Sequence, residues 1–246
     1  MAHRGGALHP DLPGVENTLH AFEHAVALGY EYLETDVHTT LDGVLLAFHD
    51  DSLDRVTDSQ GRLADLDAEQ VSAARIRAEH PVPTMAELLE AFPACRFNID
   101  VKSDGAVAPL AELVERTGSH DRVCVGSFSR SRLNAFRAAS HGRVATSAAP
   151  TEVVAFLACP SGRLARRLTR DRVDALQVPH RRGRVPVVTG SLVRRAHAAG
   201  VHVHVWTVDE PTEMEDLLDL GVDGLITDRT DVLKDVLTRR GKWRQA

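Results

Sequence analysis

The chain has 246 residues, 43% of them hydrophobic, 26% charged and 4% aromatic, with a formal net charge of −6. That balance describes a soluble globular protein and excludes the broad basic face of a nucleic-acid binder. No run approaches the roughly 18 apolar residues of a membrane span, and the length is that of one α/β barrel, which predicts a single domain over 1–246.

In chain order, a short strand is predicted over 2–4. Asn17 or Thr18 can cap a helix carrying Leu19, Phe22 and Val26, and Gly29 suits its left-handed end. Strands over 32–37 and 44–49 follow, joined at Asp42-Gly43, a dipeptide suited to a tight hairpin turn. Pairing about that dipeptide places Asp36 opposite His49. Residues 50–83 are polar and irregular and read as an insertion, with a short helix over 67–78. Thr84 and Glu87 form a capping box before Leu88, Leu89 and Phe92.

Further strands are predicted over 97–102, 123–128, 144–148, 175–178, 202–207 and 224–227. An arginine-rich segment over 163–172 and a basic loop over 179–185 lie among them. Ser191 can cap the helix that ends at Gly200, and Pro211 suits the first turn of the helix that ends at Gly221. Helix, glycine, strand recurs at Gly29, Gly200 and Gly221, which is the αβ half of a βαβ unit and implies a parallel sheet. The strand over 44–49 is too near its predecessor for a crossover helix, and removing it leaves eight strands for a (β/α)₈ TIM barrel.

Three cysteines, Cys95, Cys124 and Cys159, show no metal-clip spacing and suit a reducing compartment. The first residues lack the pattern of a secretory signal, so a cytoplasmic location is expected. The basic run over 239–244 reads as a solvated end.

Barrel enzymes carry their chemistry at the carboxyl ends of the strands. The charged residues there are His3 and Arg4, Glu34 and Asp36, His49, and Asp100 and Lys102. Glu34 and Asp36 alternate, so they share one strand face about 7 Å apart. Two buried acids so placed call for a positive partner, and a hard cation such as Mg²⁺ or Ca²⁺ prefers oxygen ligands. Asp100 and Lys102 repeat the alternation. Lys102 is one of only three lysines, with Lys234 and Lys242, and suits a phosphate as a compact charge. His3 and His49 are the candidate acid and base, since imidazole titrates near neutral pH. Arg4 suits bidentate binding of phosphate oxygens. His202 and His204 offer a weaker metal pattern, and His9, His20 and His38 read as bystanders.

The ordered set His-Arg-Gly at 3–5, Glu-Asn-Thr at 16–18, Glu-Thr-Asp at 34–36, Asp-Gly at 42–43, His-Asp at 49–50, Trp-Thr-Val at 206–208 and Asp-Gly-Leu-Ile-Thr-Asp at 223–228 resembles the glycerophosphodiester phosphodiesterases. The resemblance covers nearly the whole chain. It implies a barrel with a small insertion after His49, with His3 and His49 as general acid and base. It implies one divalent cation on Glu34, Asp36 and Asp100, and phosphate contacts from Arg4 and Lys102. Trp206 would line the pocket, and Glu16 would be a ligand or support one. The chain departs from the family in having Val15 where Pro is usual and Asp100 where Glu is usual. Asp100 is one methylene shorter, so its contact with an ion would pass through water or shift the ion.

The expected reaction is hydrolysis of a small-molecule glycerophosphodiester to glycerol 3-phosphate and an alcohol. The same site could instead serve lysophospholipase D or phospholipase C-like cleavage. A metal-dependent amidohydrolase barrel would need a second histidine on the first strand, which offers only His3. A degenerate barrel that binds phosphodiesters without cleaving them is the non-enzymatic rival.

Overall fold

In chain order the strands of the computed structural model, which describes residues 1–170 and 172–243, are β1 Ala2–His3, β2 Tyr32–Thr39, β3 Leu45–Ala47, β4 Arg75–Ile76, β5 His80–Pro81, β6 Arg96–Val101, β7 Val123–Gly126, β8 Ala145–Thr146, β9 Ala175–Pro179, β10 Arg181–Arg182, β11 Val185–Pro186, β12 His202–Trp206 and β13 Gly224–Leu225. Parallel pairing runs β1–β2–β6–β7–β8 in one sheet and β9–β12–β13 in another. Single parallel bridges, Ser147 to Ala175 and Ala2 to Thr227, join the two sheets at both seams. There Ala148 N–H donates to Ala175 O at 2.8 Å, and His3 N–H to Thr227 O at 2.9 Å. Among the described residues, eight parallel strands thus form the complete ring of a (β/α)₈ barrel.

Alternation decides what each strand face meets. Leu33 and Val37 of β2, Phe97, Ile99 and Val101 of β6, Val125 of β7, Leu176 and Val178 of β9, and Val203 and Val205 of β12 share one buried cluster. Phe22, Leu88, Leu110, Phe136, Leu192, Leu217 and Val236 of the surrounding helices complete it. Each such side chain stabilises the fold by about 1.5–3 kcal/mol when fully buried. The opposite face of β2 carries the acids, so the polar half of the alternation points into the barrel.

The helix ends follow local chemistry. Thr18 caps Leu19–Ala27 by accepting from Ala21 N–H. Thr84 and Glu87 form the reciprocal box before Met85–Ala91. Pro211 opens Pro211–Leu220, and Gly221 closes it at φ +85°. The cap of Gly190–Ala198 is Thr189, not Ser191, because the Thr189 hydroxyl accepts from Leu192 N–H at 3.2 Å.

The hairpin register differs by one from the expected one. Val37 pairs Ala47, His38 pairs Leu46 and Thr39 pairs Leu45. Thr40 N–H donates to Val44 O at 3.1 Å, and Gly43 N–H to Thr40 O at 3.1 Å with Gly43 at φ +86°. The loop therefore holds three residues, Leu41-Asp42-Gly43, rather than two, a turn closed by a left-handed glycine. Phe48, not His49, lies across from Asp36, with its N–H on Asp36 O at 2.9 Å.

Residues 50–83 leave the barrel and pack Leu53, Leu63, Val71, Ile76 and Val82 against Leu46 and Phe48 of the hairpin in a small separate core. The short helix there is Ala68–Ala73, capped reciprocally by Asp67 and Gln70. The arginine-rich segment forms the helix Gly162–Leu168, and the basic loop contains the β10–β11 hairpin. Asp171, within the arginine-rich segment, and Arg244, within the expected basic end, lie outside the described residues. Cys95, Cys124 and Cys159 are free thiols. Among the described residues no helix is long and apolar enough to cross a membrane.

Candidate active site

Strand register assembles the charged residues at one end of the ring. His3 pairs Glu34 across β1–β2, and Asp36 pairs Asp100 across β2–β6. Glu34 and Asp36 are buried, at 5% and 2% exposure. The Lys102 ammonium lies 2.9 Å from Asp36 Oδ1 and 2.6 Å from Asp100 Oδ2, and so ties the ends of the two strands. Arg4 donates through Nη1 to Glu16 at 3.1 Å. Its Nε stands 3.3 Å from Asp36 Oδ2 and is buried with no hydrogen bond. A buried guanidinium nitrogen that meets a carboxylate by charge without a formed hydrogen bond still has its N–H to offer an anionic oxygen.

Two histidines flank this cluster in the same manner. His3 Nδ1 is 2.7 Å from Asp228 Oδ1, and His49 Nδ1 is 2.6 Å from Asp50 Oδ1. A carboxylate on Nδ1 fixes the tautomer and leaves Nε2 for chemistry. His3 Nε2 faces Glu34 Oε2 at 3.7 Å. Burial alone would lower the His3 pKa, but the charges of Glu34 and Asp228 and the Asp228 hydrogen bond outweigh it and lift it to about 9. Burial lifts Glu34 above the usual carboxylate range, and the charges of Asp36 and Asp100 add to this against the pull of His3. Burial acts the same way on Asp36, but Lys102, Arg4 and His49 overcome it and hold Asp36 low.

The loop after β1 is shaped to deliver these groups. Arg4 and Asn17 sit at φ +50° and +57°, a costly conformation for residues with side chains, of a kind that clusters at functional sites. Arg4 N–H donates to Glu34 O at 3.0 Å, and Asn17 N–H to Arg4 O at 2.9 Å. Gly5, at φ +85°, lies against the first helix, where a Cβ would come within 2.6 Å of Ala21 Cβ. Glu16 is gripped by Arg4 and by both terminal nitrogens of Arg55, at 2.9 and 2.7 Å. Burial would raise Glu16, but hydrogen bonds from Arg55 and the charges of both arginines hold it below its ordinary value. Trp206 ends β12 and meets Phe128 edge-on, with ring centroids 5.7 Å apart. Lys102 Nζ lies 5.9 Å from the centre of the Phe128 ring.

Several supports were not among the site residues expected from the sequence. Asp228 and Asp50 hold the histidines, Arg55 links Asp50 to Glu16, and Asn17 reaches Asp36 at 3.4 Å. His38, read as a bystander, is buried and holds His49 O through Nε2 at 3.1 Å. Asp50 and Asp228 each end a motif of the resemblance, His-Asp at 49–50 and Asp-Gly-Leu-Ile-Thr-Asp at 223–228, which was the available signal. Arg55 left none, because it reaches the site from the insertion.

Glu34, Asp36 and Asp100 form an oxygen-only donor set, which suits a hard divalent cation. The raised Glu34 carboxyl points the same way, to buried negative charge that a cation would neutralise. These residues offer the oxygen donors that such an ion takes, with the Lys102 ammonium bridging Asp36 and Asp100.

Comparison with known proteins bears on this arrangement. The sequence model described as "Glycerophosphoryl diester phosphodiesterase family" matches residues 3–232. The chain is 46% identical over 247 residues to "Probable glycerophosphodiester phosphodiesterase 2" of Mycobacterium tuberculosis, covering 99% of this chain and 92% of that protein. Its fold is similar to that of the "Putative glycerophosphoryl diester phosphodiesterase" from Silicibacter pomeroyi, with a TM-score of 0.80 at 23% identity over 99% of this chain and 94% of that one. It is also similar to an Oleispira antarctica phosphodiesterase solved with the product sn-glycerol-3-phosphate, with a TM-score of 0.79 at 21% identity over 96% and 95% of the two chains.

Proposed function

The chain belongs to the glycerophosphoryl diester phosphodiesterase family and is a phosphoric diester hydrolase, and from that premise we propose how its barrel mouth divides the work. The substrate is a glycerophosphodiester, and the products are sn-glycerol 3-phosphate and an alcohol. Arg4 and Lys102 receive the phosphate oxygens. Arg4 Nε has no hydrogen bond to give up, and Lys102 can turn its ammonium from the carboxylates toward the diester. These charges sit where negative charge grows on the phosphoryl oxygens, which is where a preorganised cation counts most. When held by Glu34, Asp36 and Asp100, a divalent cation such as Mg²⁺ or Ca²⁺ supplies Lewis-acid neutralisation of that same charge.

The histidines move the protons. Asp228 accepts from His3 Nδ1 and favours its protonated form, so His3 Nε2 is the donor to the leaving alkoxide oxygen. His49, steadied by Asp50 and His38, takes the proton from water as its oxygen bonds to phosphorus. The P–O bond to the alcohol breaks as that oxygen gains the His3 proton. Trp206 and Phe128 form an aromatic wall on the side where an alkyl or glycerol group would lie.

The observation that carries this reading is the matched pair of imidazoles, each with Nδ1 on a carboxylate, on either side of one Arg–Lys–acid cluster. The test is release of glycerol 3-phosphate from glycerophosphocholine, against a lysophospholipid as the rival substrate, with EDTA and with Mg²⁺ or Ca²⁺ added back. Release from glycerophosphocholine, abolished by EDTA and restored by a cation, supports the reading. Preference for the lysophospholipid moves the substrate to the lipid, and turnover unaffected by EDTA removes the cation.

A further inference from the structure

A second group of metal-ligating side chains lies outside the site just described. His9 and Asp11 are in the loop after β1, and His24 is in the helix Leu19–Ala27. Among the described residues, these are the three whose ligand atoms all fall within 4.8 Å of one another. His9 Nδ1 and His24 Nε2 each stand 3.9 Å from Asp11 Oδ2. The two imidazole rings are 4.3 Å apart at 60°.

The usual explanation for a histidine packed against the protein is a hydrogen bond, and His24 has none to offer. Its Nδ1 is buried without a partner, and 3.9 Å from Nε2 to Asp11 is beyond hydrogen-bond reach. Asp11 attracts both rings, but burial and the neighbouring imidazoles outweigh it at His24 and hold that ring below its ordinary value, toward the neutral form a metal takes. A second imidazole lies beside His24, and His20 is near enough to add to the same repulsion. By contrast, the 3.9 Å gaps suit a shared ion. Two ligands about 2.0–2.2 Å from one metal stand somewhat closer than this, so each imidazole would draw in on Asp11 by a few tenths of an ångström. His9 Nδ1 already presents a lone pair, since it accepts Asp11 N–H at 3.1 Å, and the ion would take over that lone pair. Asp11 is 75% exposed, which leaves an entry path and an open coordination position for water.

We propose that His9, Asp11 and His24 form a second cation site, for a first-row transition metal of the Zn²⁺ class, that clips the loop after β1 to the first helix. Two imidazoles and one carboxylate are a donor set for such an ion rather than for Mg²⁺ or Ca²⁺. The site shares no ligand with the catalytic cluster. Its consequence reaches that cluster through the chain, because the clipped loop continues to Glu16 and Asn17, which contact Arg4 and Asp36. Metal at this position would hold those two residues in place.

The test uses the full chain, saturated with Mg²⁺ to occupy the acidic cluster, and titrated with Co²⁺ or Zn²⁺. Co²⁺ reports its own geometry by visible absorption, and Zn²⁺ binding is followed by calorimetry and by the melting temperature. Wild type should bind about one equivalent and melt higher with Zn²⁺. His24→Gln and Asp11→Asn should each weaken binding by at least about 10-fold and abolish the thermal shift. Glu34→Gln should keep both. Binding that survives intact in His24→Gln, or is lost in Glu34→Gln, would overturn the proposal, as would a folded wild type that takes up no transition metal. His24 makes no hydrogen bond that Gln would break, so that variant is expected to fold.

Discussion

The two ends of the barrel interior solve the problem of buried polarity differently. At the carboxyl end, Glu34, Asp36, Asp100, Arg4, Lys102 and His3 are packed as charges, and each acid is placed beside a cation or a charged imidazole. At the amino end, Asn98, Gln177 and His204 form a neutral chain. Gln177 Nε2 donates to Asn98 Oδ1 at 2.6 Å and lies 3.4 Å from His204 Nδ1. Asn98 and His204 border a cavity of about 550 Å³ lined also by Tyr32, Cys124 and Gly224. Burial pushes His204 down to about 4, so it stays uncharged, and the same effect pushes the Cys124 thiol up to about 12. One strand can serve both ends: Asn98 and Asp100 of β6 share a face, one in the neutral chain and one in the charged cluster. The difference teaches that polar residues inside a barrel mark a site only where their charge is retained.

The largest test of the contrast is at the histidines. His3→Ala and His49→Ala should each lower kcat by about 10²–10⁴-fold, read by steady-state release of glycerol 3-phosphate. Near-normal turnover in either would remove that residue from the acid–base pair. Next comes the acidic cluster, where Glu34→Gln should raise the half-saturating Mg²⁺ or Ca²⁺ concentration by about 10²-fold, with the fold intact by circular dichroism. An unchanged cation requirement would take Glu34 out of the ligand set.

A smaller effect is expected from Asp228→Asn. Loss of the carboxylate on His3 Nδ1 should cost about 10-fold in kcat and shift the pH profile toward acid, since Asp228 helps to hold the His3 proton. An unmoved profile would leave Asp228 a purely structural partner. Smallest is the amino end, where His204→Gln should leave turnover unchanged and alter only acid stability. The folded chain refuses a proton on His204 until about pH 4, whereas an ordinary imidazole accepts one near 6.5. Stability should therefore fall as pH drops from about 6.5 and level off below about 4, by no more than about 3 kcal/mol from this residue. Urea unfolding of His204→Gln should lack that part of the acid dependence, and a curve identical to wild type would show that His204 is not its source.

Much of this was legible in the residues. The glycine-punctuated repeat at Gly29, Gly200 and Gly221 carried the barrel, and period-two alternation on β2 and β6 put Glu34 with Asp36 and Asp100 with Lys102. The hairpin register was not legible, because Asp42-Gly43 fits either a two-residue or a three-residue loop. Only the Thr40–Val44 pairing decides between them. Partners such as Asp228 and Arg55 depend on contacts between distant segments, 225 and 39 residues apart in the chain. No local pattern encodes such meetings. Nothing in the sequence sets His24 apart, because its approach to Asp11 depends on how the loop after β1 lies against the first helix.

β1 is only Ala2–His3, and it is fastened to the last stave by His3 N–H on Thr227 O, Thr227 N–H on Met1 O and the Met1 ammonium on Leu225 O. Asp228 follows directly on the far side of that join, so the hydrogen bond that orients His3 spans a short stitch where the ring closes. Gentle warming should part this stitch before the hydrophobic cluster gives way. Catalysis would then fade at temperatures where the helical signal is still whole, and hydrogen exchange would mark residues 1–6 and 225–229 as the first to loosen.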